Sequence, residues 1–211
     1  MKKKQISDIL LIAIFVAAAI VLAYSLTIMS KTSGQKTVAE VNGHRITESD
    51  LQEVMLTIPV QYRSNLTNET LIEQAVNLEI ITEEASKLGI TVTDQEVENS
   101  IENTLASAGI PREDFIKAVN DQGISEDTLK SAYKKQLLSL KFVNETILKK
   151  INITEKETRD AYDAYSSQLN MTYEVARPQI ERALLVQKGQ IALQLFLEQK
   201  IKEYNITRAA Q

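Results

Sequence analysis

The chain has 211 residues, of which 44% are hydrophobic and 25% charged, so it suits one large or two small folded domains and cannot be a disordered tail protein. With no cysteine and one histidine, His44, disulfide frameworks, thiolate sites and histidine-rich metal centres are excluded, and the sequence predicts no metal and no cofactor. Few glycines and prolines, six and three, predict a mainly helical fold.

The amino terminus carries a long uncharged segment. Residues 9–30 contain no charged side chain, and 22 such residues can cross a bilayer, which needs about 20. The preceding Lys2, Lys3 and Lys4 predict that the amino terminus is cytoplasmic and that the rest lies outside the cytoplasm. We therefore predict an uncleaved signal anchor over residues 1–30. The alternative is a cleaved signal peptide ending near Ala23-Tyr24-Ser25.

The part after this segment is acidic and rich in Asn-x-Ser/Thr sequences. Its 21 basic and 27 acidic side chains give a net charge of about −6, which argues against a nucleic-acid partner. Asparagine and threonine are also common at helix ends, so these sequences indicate glycosylation only weakly. The candidate N-glycosylation sites are Asn65, Asn68, Asn144, Asn152, Asn170 and Asn205.

Residues 31–36 form a polar linker, and residues 37–211 are expected to form one domain that begins with a β-ribbon. Apolar and polar residues alternate around Asn42-Gly43, a pair that favours a type I′ hairpin. Thr47 and Asp50 resemble a capping box that opens a helix, which Pro59 breaks or bends.

Capping signals divide the remaining chain into helices. We predict helices from Asn68 to Leu88, from Thr93 to Gly109, from Pro111 to near Gly123, from Ser125 onward, from Thr154 to about Ser167 and from Thr172 to Tyr204. Pro178 either kinks the last helix or marks its true start. The residues after Tyr204 are expected to add a third strand to the ribbon.

Two of these helices show apolar stripes. The helix after Ser125 is expected to bury Leu129, Tyr133, Leu137, Leu140, Ile147 and Ile151. The last helix has one stripe of Ile180, Leu184, Ile191 and Leu195 and a second of Leu193, Leu197 and Ile201. Two stripes predict contacts on more than one side of that helix.

Catalytic signatures are not evident, and we predict no catalytic residue. His44 follows the hairpin turn, but the sequence offers neither a nucleophile nor an orienting acid near it. Glu83-Glu84 and the group Glu96, Glu98 and Glu102 are interpreted as solvated helix faces.

The order of these segments resembles a known family. Val38-Ala-Glu-Val-Asn-Gly-His-Arg-Ile-Thr-Glu-Ser-Asp-Leu51 resembles the VNGxxITxxDL opening of SurA/PrsA-type exported chaperones and peptidyl-prolyl isomerases. LIEQAVNLEIITEEASKLGITVTDQEVENSIE, residues 71–102, is similar to the long helix and the following joint of that family. Residues 115–138 and 153–162 resemble its next helices. Together the similar segments cover nearly all of residues 37–205.

The chain departs from the family pattern between Tyr165 and Thr172. Isomerase-bearing relatives carry a parvulin domain of about a hundred residues near this point. Here Ser166-Ser-Gln-Leu-Asn-Met-Thr172 leads directly into a sequence that resembles the closing helix of the family. The resemblance therefore implies a mainly α SurA-N-like chaperone domain without the isomerase module.

This resemblance predicts a membrane-anchored holdase-type chaperone whose partners are unfolded or newly exported polypeptides. The candidate peptide-binding residues are Met55, Ile58, Tyr62, Phe115 and Tyr133, although apolar side chains at helical spacing are more often core. One alternative is an assembly or scaffold subunit with a single fixed partner. A less favoured alternative is a peptidyl-prolyl isomerase.

Overall fold

The computed structural model describes residues 36–58, 60–63, 66–121, 123–165 and 171–209. The predicted anchor, most of the linker, Pro59 and the sequons at Asn65 and Asn170 lie outside the described residues. The chain divides into two compact units: unit 1 comprises Met1–Ser139 with Tyr204–Gln211, and unit 2 comprises Leu140–Glu203. Across the described ranges, every helix is either too short or too polar to cross a membrane.

Unit 1 contains a three-stranded antiparallel sheet. Strand β1 (Thr37–Val41) lies between β2 (His44–Thr47) and β3 (Ile206–Arg208). Asn42 and Gly43 have φ angles of 50° and 89°, as a type I′ turn requires, because both central residues of that turn need positive φ. Val41 lies opposite both His44 and Ile206. The predicted hairpin and the third strand are confirmed.

Apart from the short α2, which no signal predicts, the helices of unit 1 begin within about one residue of the predicted starts. They are α1 (Glu48–Thr57), α2 (Val60–Arg63), α3 (Asn68–Lys87), α4 (Asp94–Ala108), α5 (Arg112–Asp121) and α6 (Glu126–Thr146), which continues into unit 2. The Thr47 backbone N–H donates to Asp50 at 2.9 Å, and the Asp50 N–H donates back to the Thr47 hydroxyl at 3.4 Å. A second such box joins Thr93 and Glu96. Satisfying these free N–H groups fixes both helix starts.

The core of unit 1 includes an apolar cluster of α4, α5 and α6. Its members are spaced three or four residues apart on each helix, so each helix buries one face. They include Val97, Ile101, Leu105, Phe115, Val119 and Leu129, each at most 7% exposed. Burial of such side chains contributes about 1.5–3 kcal/mol each, so this cluster is a main source of stability for unit 1.

The apolar stripe predicted for α6 is only partly correct. Leu129 is buried, and Tyr133 and Leu137 pack against the cluster. Leu140, however, is 59% exposed, although it continues the helical spacing. It lies beyond the cluster, at the point where α6 passes from unit 1 to unit 2. The helix ends at Thr146, so Ile147 and Ile151 flank the following 3-10 turn (Leu148–Lys150). Ile147 is 7% exposed, as predicted, whereas Ile151 is only half-buried.

Unit 2 contains that turn, α7 (Glu155–Tyr165) and the 31-residue α8 (Tyr173–Glu203). Phe142 of α6 is 1% exposed, and its ring centroid lies 5.4 Å from that of Phe196 on α8. A Cβ atom added at Gly189 would lie 2.5 Å from Leu148, so glycine permits the close approach of α8 to the 3-10 turn. Pro178 lies inside α8 and therefore does not mark its start.

The capping box at the start of α7 predicts a measurable pH effect. Hydrogen bonds from Lys188 and from the backbone and hydroxyl of Thr154 lower the pKa of Glu157 from 4.5 to about 2. Because the folded pKa is the lower one, this stabilisation is complete above pH 4.5 and is lost as the pH falls toward 2. We expect a carboxyl NMR titration of Glu157 to show this low pKa.

The variant Lys188→Met should raise the pKa of Glu157, because it removes the largest contribution to the shift. Lys202→Met, near the other end of α8, is the matched control and should leave the titration unchanged. An equal effect of both variants would mean that general electrostatics, and not the Lys188 hydrogen bond, holds the carboxylate ionised.

Candidate functional site

An open apolar groove lies between α1 and α3 in unit 1. It has a volume of about 310 Å³. Strand β1 and the residue that follows β3 complete its wall, and Lys36 and Glu48 add charged groups. The apolar lining consists of Val38, Leu51, Met55, Leu71, Ile72 and Ala209. A groove of this size and character can hold one or two apolar side chains of an extended polypeptide.

The spacing along α1 explains why this groove stays open. Val54 is 4% exposed and faces the interior, whereas Leu51 and Met55, one turn apart, are only half-buried. The thioether chain of Met55 can adopt several conformations at low cost, which suits a surface that accepts different side chains. Helix α1 therefore packs against the interior through Val54 and leaves Leu51 and Met55 accessible in the groove.

Ion pairs hold α1 in place from α6. The Lys135 ammonium lies 3.0 Å from Asp50 and 2.7 Å from Glu53, and the Ser131 hydroxyl donates to Glu53 at 3.0 Å. Burial opposes the charge on Lys135, but hydrogen bonds to Glu53 and Asp50 raise its pKa above the ordinary value. Burial likewise opposes ionisation of Asp50, yet bonds from Thr47 and Lys135 lower its pKa. The charged forms are therefore favoured at neutral pH.

The structure separates the five predicted binding residues. Met55 lines the groove, Ile58 directly follows α1, and Tyr62 on α2 is 62% exposed. Phe115 is 5% exposed in the core cluster, and Tyr133 packs against that cluster, where burial raises its pKa. Phe115 and Tyr133 are therefore packing residues in this structure and do not line the groove.

Sequence reasoning missed most of the groove lining and one capping residue. Leu51 could have been found from its spacing of four from Met55, but Leu71 and Ile72 come from a helix that meets α1 only in the fold. Arg63 donates to the Ile58 carbonyl at 2.7 Å and to that of Leu56 at 3.4 Å. It thereby satisfies the carboxyl end of α1, and its partial burial lowers its pKa.

His44, Glu98 and Glu102 each contact an ionisable neighbour. His44 Nδ1 lies 3.1 Å from Glu79, and the imidazole is 69% exposed. Burial raises the pKa of Glu79, and His44 opposes this rise. Glu98 and Glu102 both pair with Arg112 on the helix surface. In the part of the chain that the structure describes, no group of three or more His, Cys, Asp or Glu could hold a metal ion.

Comparisons with known proteins agree with this architecture. A family model described as the SurA-like N-terminal domain matches residues 1–143. The chaperone SurA of Saccharophagus degradans is 25% identical over 154 residues, which is 69% of this chain and 36% of that protein. The foldase protein PrsA of Clostridium kluyveri is 28% identical over 159 residues, which is 63% of this chain and 47% of that protein. The chain thus spans less than half the length of these curated relatives.

A solved structure from Campylobacter jejuni has a similar fold. It comes from work that describes the virulence factor PEB4 and the periplasmic protein Cj1289 as two structurally related SurA-like chaperones. The TM-score is 0.60 with 12% identity, and the match covers 83% of this chain and 100% of that one. At this identity the likeness concerns the fold.

Proposed function

The chain belongs to the SurA-like N-terminal domain family, and from this membership we propose that it is an extracytoplasmic, holdase-type chaperone for unfolded or newly exported polypeptides. The observation that carries the proposal is the open apolar groove in a chain of this family. Client side chains enter the groove by burial of apolar surface, and no covalent step is involved. The net negative charge of the chain keeps such complexes soluble.

The uncharged segment at residues 9–30 supports a membrane anchor for this chaperone. With Lys2, Lys3 and Lys4 on one side, the groove would lie outside the cytoplasm, where exported chains emerge unfolded. Protease added to intact cells that lack an outer barrier should then remove the domain. Resistance until the membrane is lysed would show the opposite topology.

The test of client binding uses the full chain in lipid nanodiscs, because residues 9–30 are apolar. We expect a molar excess to suppress aggregation of a reduced, unfolded protein, with empty nanodiscs as the blank. Met55→Glu should abolish most of this suppression, because a carboxylate in the groove must be desolvated when an apolar side chain binds. Leu88→Glu is the matched control, since Leu88 is 61% exposed in the same unit and does not line the groove.

Tyr62→Ala tests how far the client site extends beyond the groove. Since Tyr62 is 62% exposed, its removal should change the unfolding free energy by no more than about 0.5 kcal/mol. We expect weaker client binding if the ring contacts the polypeptide. Unchanged stability with unchanged binding would restrict the site to the groove.

Two further assays on the full chain in nanodiscs test the alternatives, a scaffold subunit and a peptidyl-prolyl isomerase. The first assay isolates the polypeptides that the chain binds. Recovery of many substoichiometric polypeptides favours a chaperone, whereas one stoichiometric partner would favour a scaffold subunit. A proline tetrapeptide assay should give no rate above the uncatalysed isomerisation, and a faster rate would contradict the proposed absence of catalysis.

A further inference from the structure

One face of α8 in unit 2 carries a row of apolar side chains, here called the apolar stripe: Ile180, Leu184, Ile191 and Leu195. Their spacing of four, seven and four residues places them on the same side of the helix. Ile180 and Leu184 are half-buried, but Ile191 and Leu195 are 53% and 60% exposed. Such large side chains in a row usually mark an interaction surface.

The two halves of the apolar stripe have different shapes. Around Ile180 and Leu184 there is an open hollow of about 360 Å³ between α7 and α8, where Ala161, Ala176 and Ala183 leave room. Ile191 and Leu195 lie further along the same helix face and protrude from it. Unit 2 therefore presents a hollow and a pair of projecting side chains that could fill a hollow of this kind.

The order of residues along this face is nearly the same when read in either direction. In an antiparallel pair of α8 helices centred between Gln187 and Lys188, Ile180 lies opposite Leu195 and Leu184 lies opposite Ile191. Arg177 then lies opposite Glu198 at both ends. The face has a residue every three or four positions, at residues 177, 180, 184, 187, 191, 195 and 198. This spacing is close to that of a coiled-coil seam, with two successive steps of four between residues 187 and 195.

The end charges of this face are available for a partner. Arg177 is 49% exposed and bonds to Glu181 at 2.7 Å, which leaves guanidinium donors for a second carboxylate. Glu198 is exposed and accepts one bond from Gln194 at 2.9 Å. Opposite charges at matched distances from the centre fix both the direction and the register of the partner.

We infer that the apolar stripe docks a second copy of this chain, with the two α8 helices antiparallel about a two-fold axis between Gln187 and Lys188. The projecting Ile191 and Leu195 of each copy enter the hollow of the other, and Arg177 pairs with Glu198 at both ends. A two-fold axis brings the same patch of both copies together, so the patch must be complementary to itself. The order of residues on this face meets that condition because it is nearly the same in both directions. Unfolded clients differ in sequence, so they do not share one arrangement of charges that complements Arg177 and Glu198.

Disulfide trapping tests the predicted axis in the full, detergent-solubilised chain, which has no cysteine of its own. Gln187→Cys places two thiols beside the axis and should form a covalent dimer under a mild oxidant at least tenfold faster than Val186→Cys. Val186 is 59% exposed on the other side of α8 and is the matched control. Equal rates for both variants would overturn the inference.

Charge exchange tests the register. Arg177→Glu and Glu198→Arg should each weaken dimerisation at least tenfold in sedimentation velocity, and mixing the two variants should restore it, because both ion pairs reform in the mixed dimer. Leu195→Glu should also dissociate the dimer. A wild-type chain that stays monomeric, or a dimer that persists in Leu195→Glu, would overturn the inference. The inference would also be overturned if Leu195→Glu changed client binding and left dimerisation unchanged.

Discussion

Phe142→Ala is expected to destabilise unit 2 more than any other single truncation considered above. The ring is 1% exposed and packs against Phe196 with centroids 5.4 Å apart, so its removal leaves a cavity in a small core. Loss of a buried phenylalanine costs about 3–5 kcal/mol. For a chain of this size, the melting temperature should fall by about 6–20 °C.

The matched control for Phe142→Ala is Leu140→Ala, two residues earlier on α6. Leu140 is 59% exposed, and its truncation should change the unfolding free energy by no more than about 0.5 kcal/mol. Thermal unfolding followed by circular dichroism gives the comparison, and hydrogen exchange of amides in residues 140–203 locates the loss. Similar melting temperatures for the two variants would mean that Phe142 is not a core residue.

The contrast between Phe142 and Leu140 also shows how far sequence reasoning reaches. Both residues lie on α6, and the helical spacing from Leu129 selected Leu140 and passed over Phe142. Spacing reports which residues share a face, but burial depends on which partner lies opposite that face. The partner of Phe142 is Phe196, 54 positions later in the chain, so no local pattern could identify it.

Local signals were sufficient where local chemistry determines the structure. The capping boxes at Thr47, Thr93 and Thr154 lie within four residues of chain, and the structure places helices after each of them. The turn at Asn42-Gly43 is similarly local.

The groove, in contrast, depends on contacts between residues that are distant in the sequence. Met55 was named as a candidate because it lies near Pro59 in the sequence, whereas Leu71 and Ile72 reach the groove through tertiary packing of α3. Phe115 was named as a binding candidate and lies in the core cluster, because an aromatic side chain on a short amphipathic helix suits either a binding surface or a core.

Deletion of residues 204–211 is expected to make the protein aggregate, although it removes only the last eight residues. Val41 is 0% exposed and lies opposite Ile206 in the sheet. The deletion removes the pairing of β3 with β1 and two flanking bonds. These run from the Asn42 N–H to the Asn205 carbonyl, at 2.8 Å, and from the Ala209 N–H to the Val38 carbonyl, at 3.0 Å. An unpaired edge beside a buried apolar face promotes pairing between chains.

Deletion of residues 204–211 also removes contacts that Tyr204 and Arg208 make with α3. The Lys87 ammonium donates to the Tyr204 hydroxyl at 2.7 Å, and Arg208 lies 2.7 Å from Glu73. Light scattering on heating should therefore show earlier aggregation, together with a lower unfolding midpoint. Deletion of residues 210–211 is the control and should change neither measurement, because β3 and both contacts remain. If the longer deletion gave the same midpoint as the full chain, β3 would not contribute to the stability of unit 1.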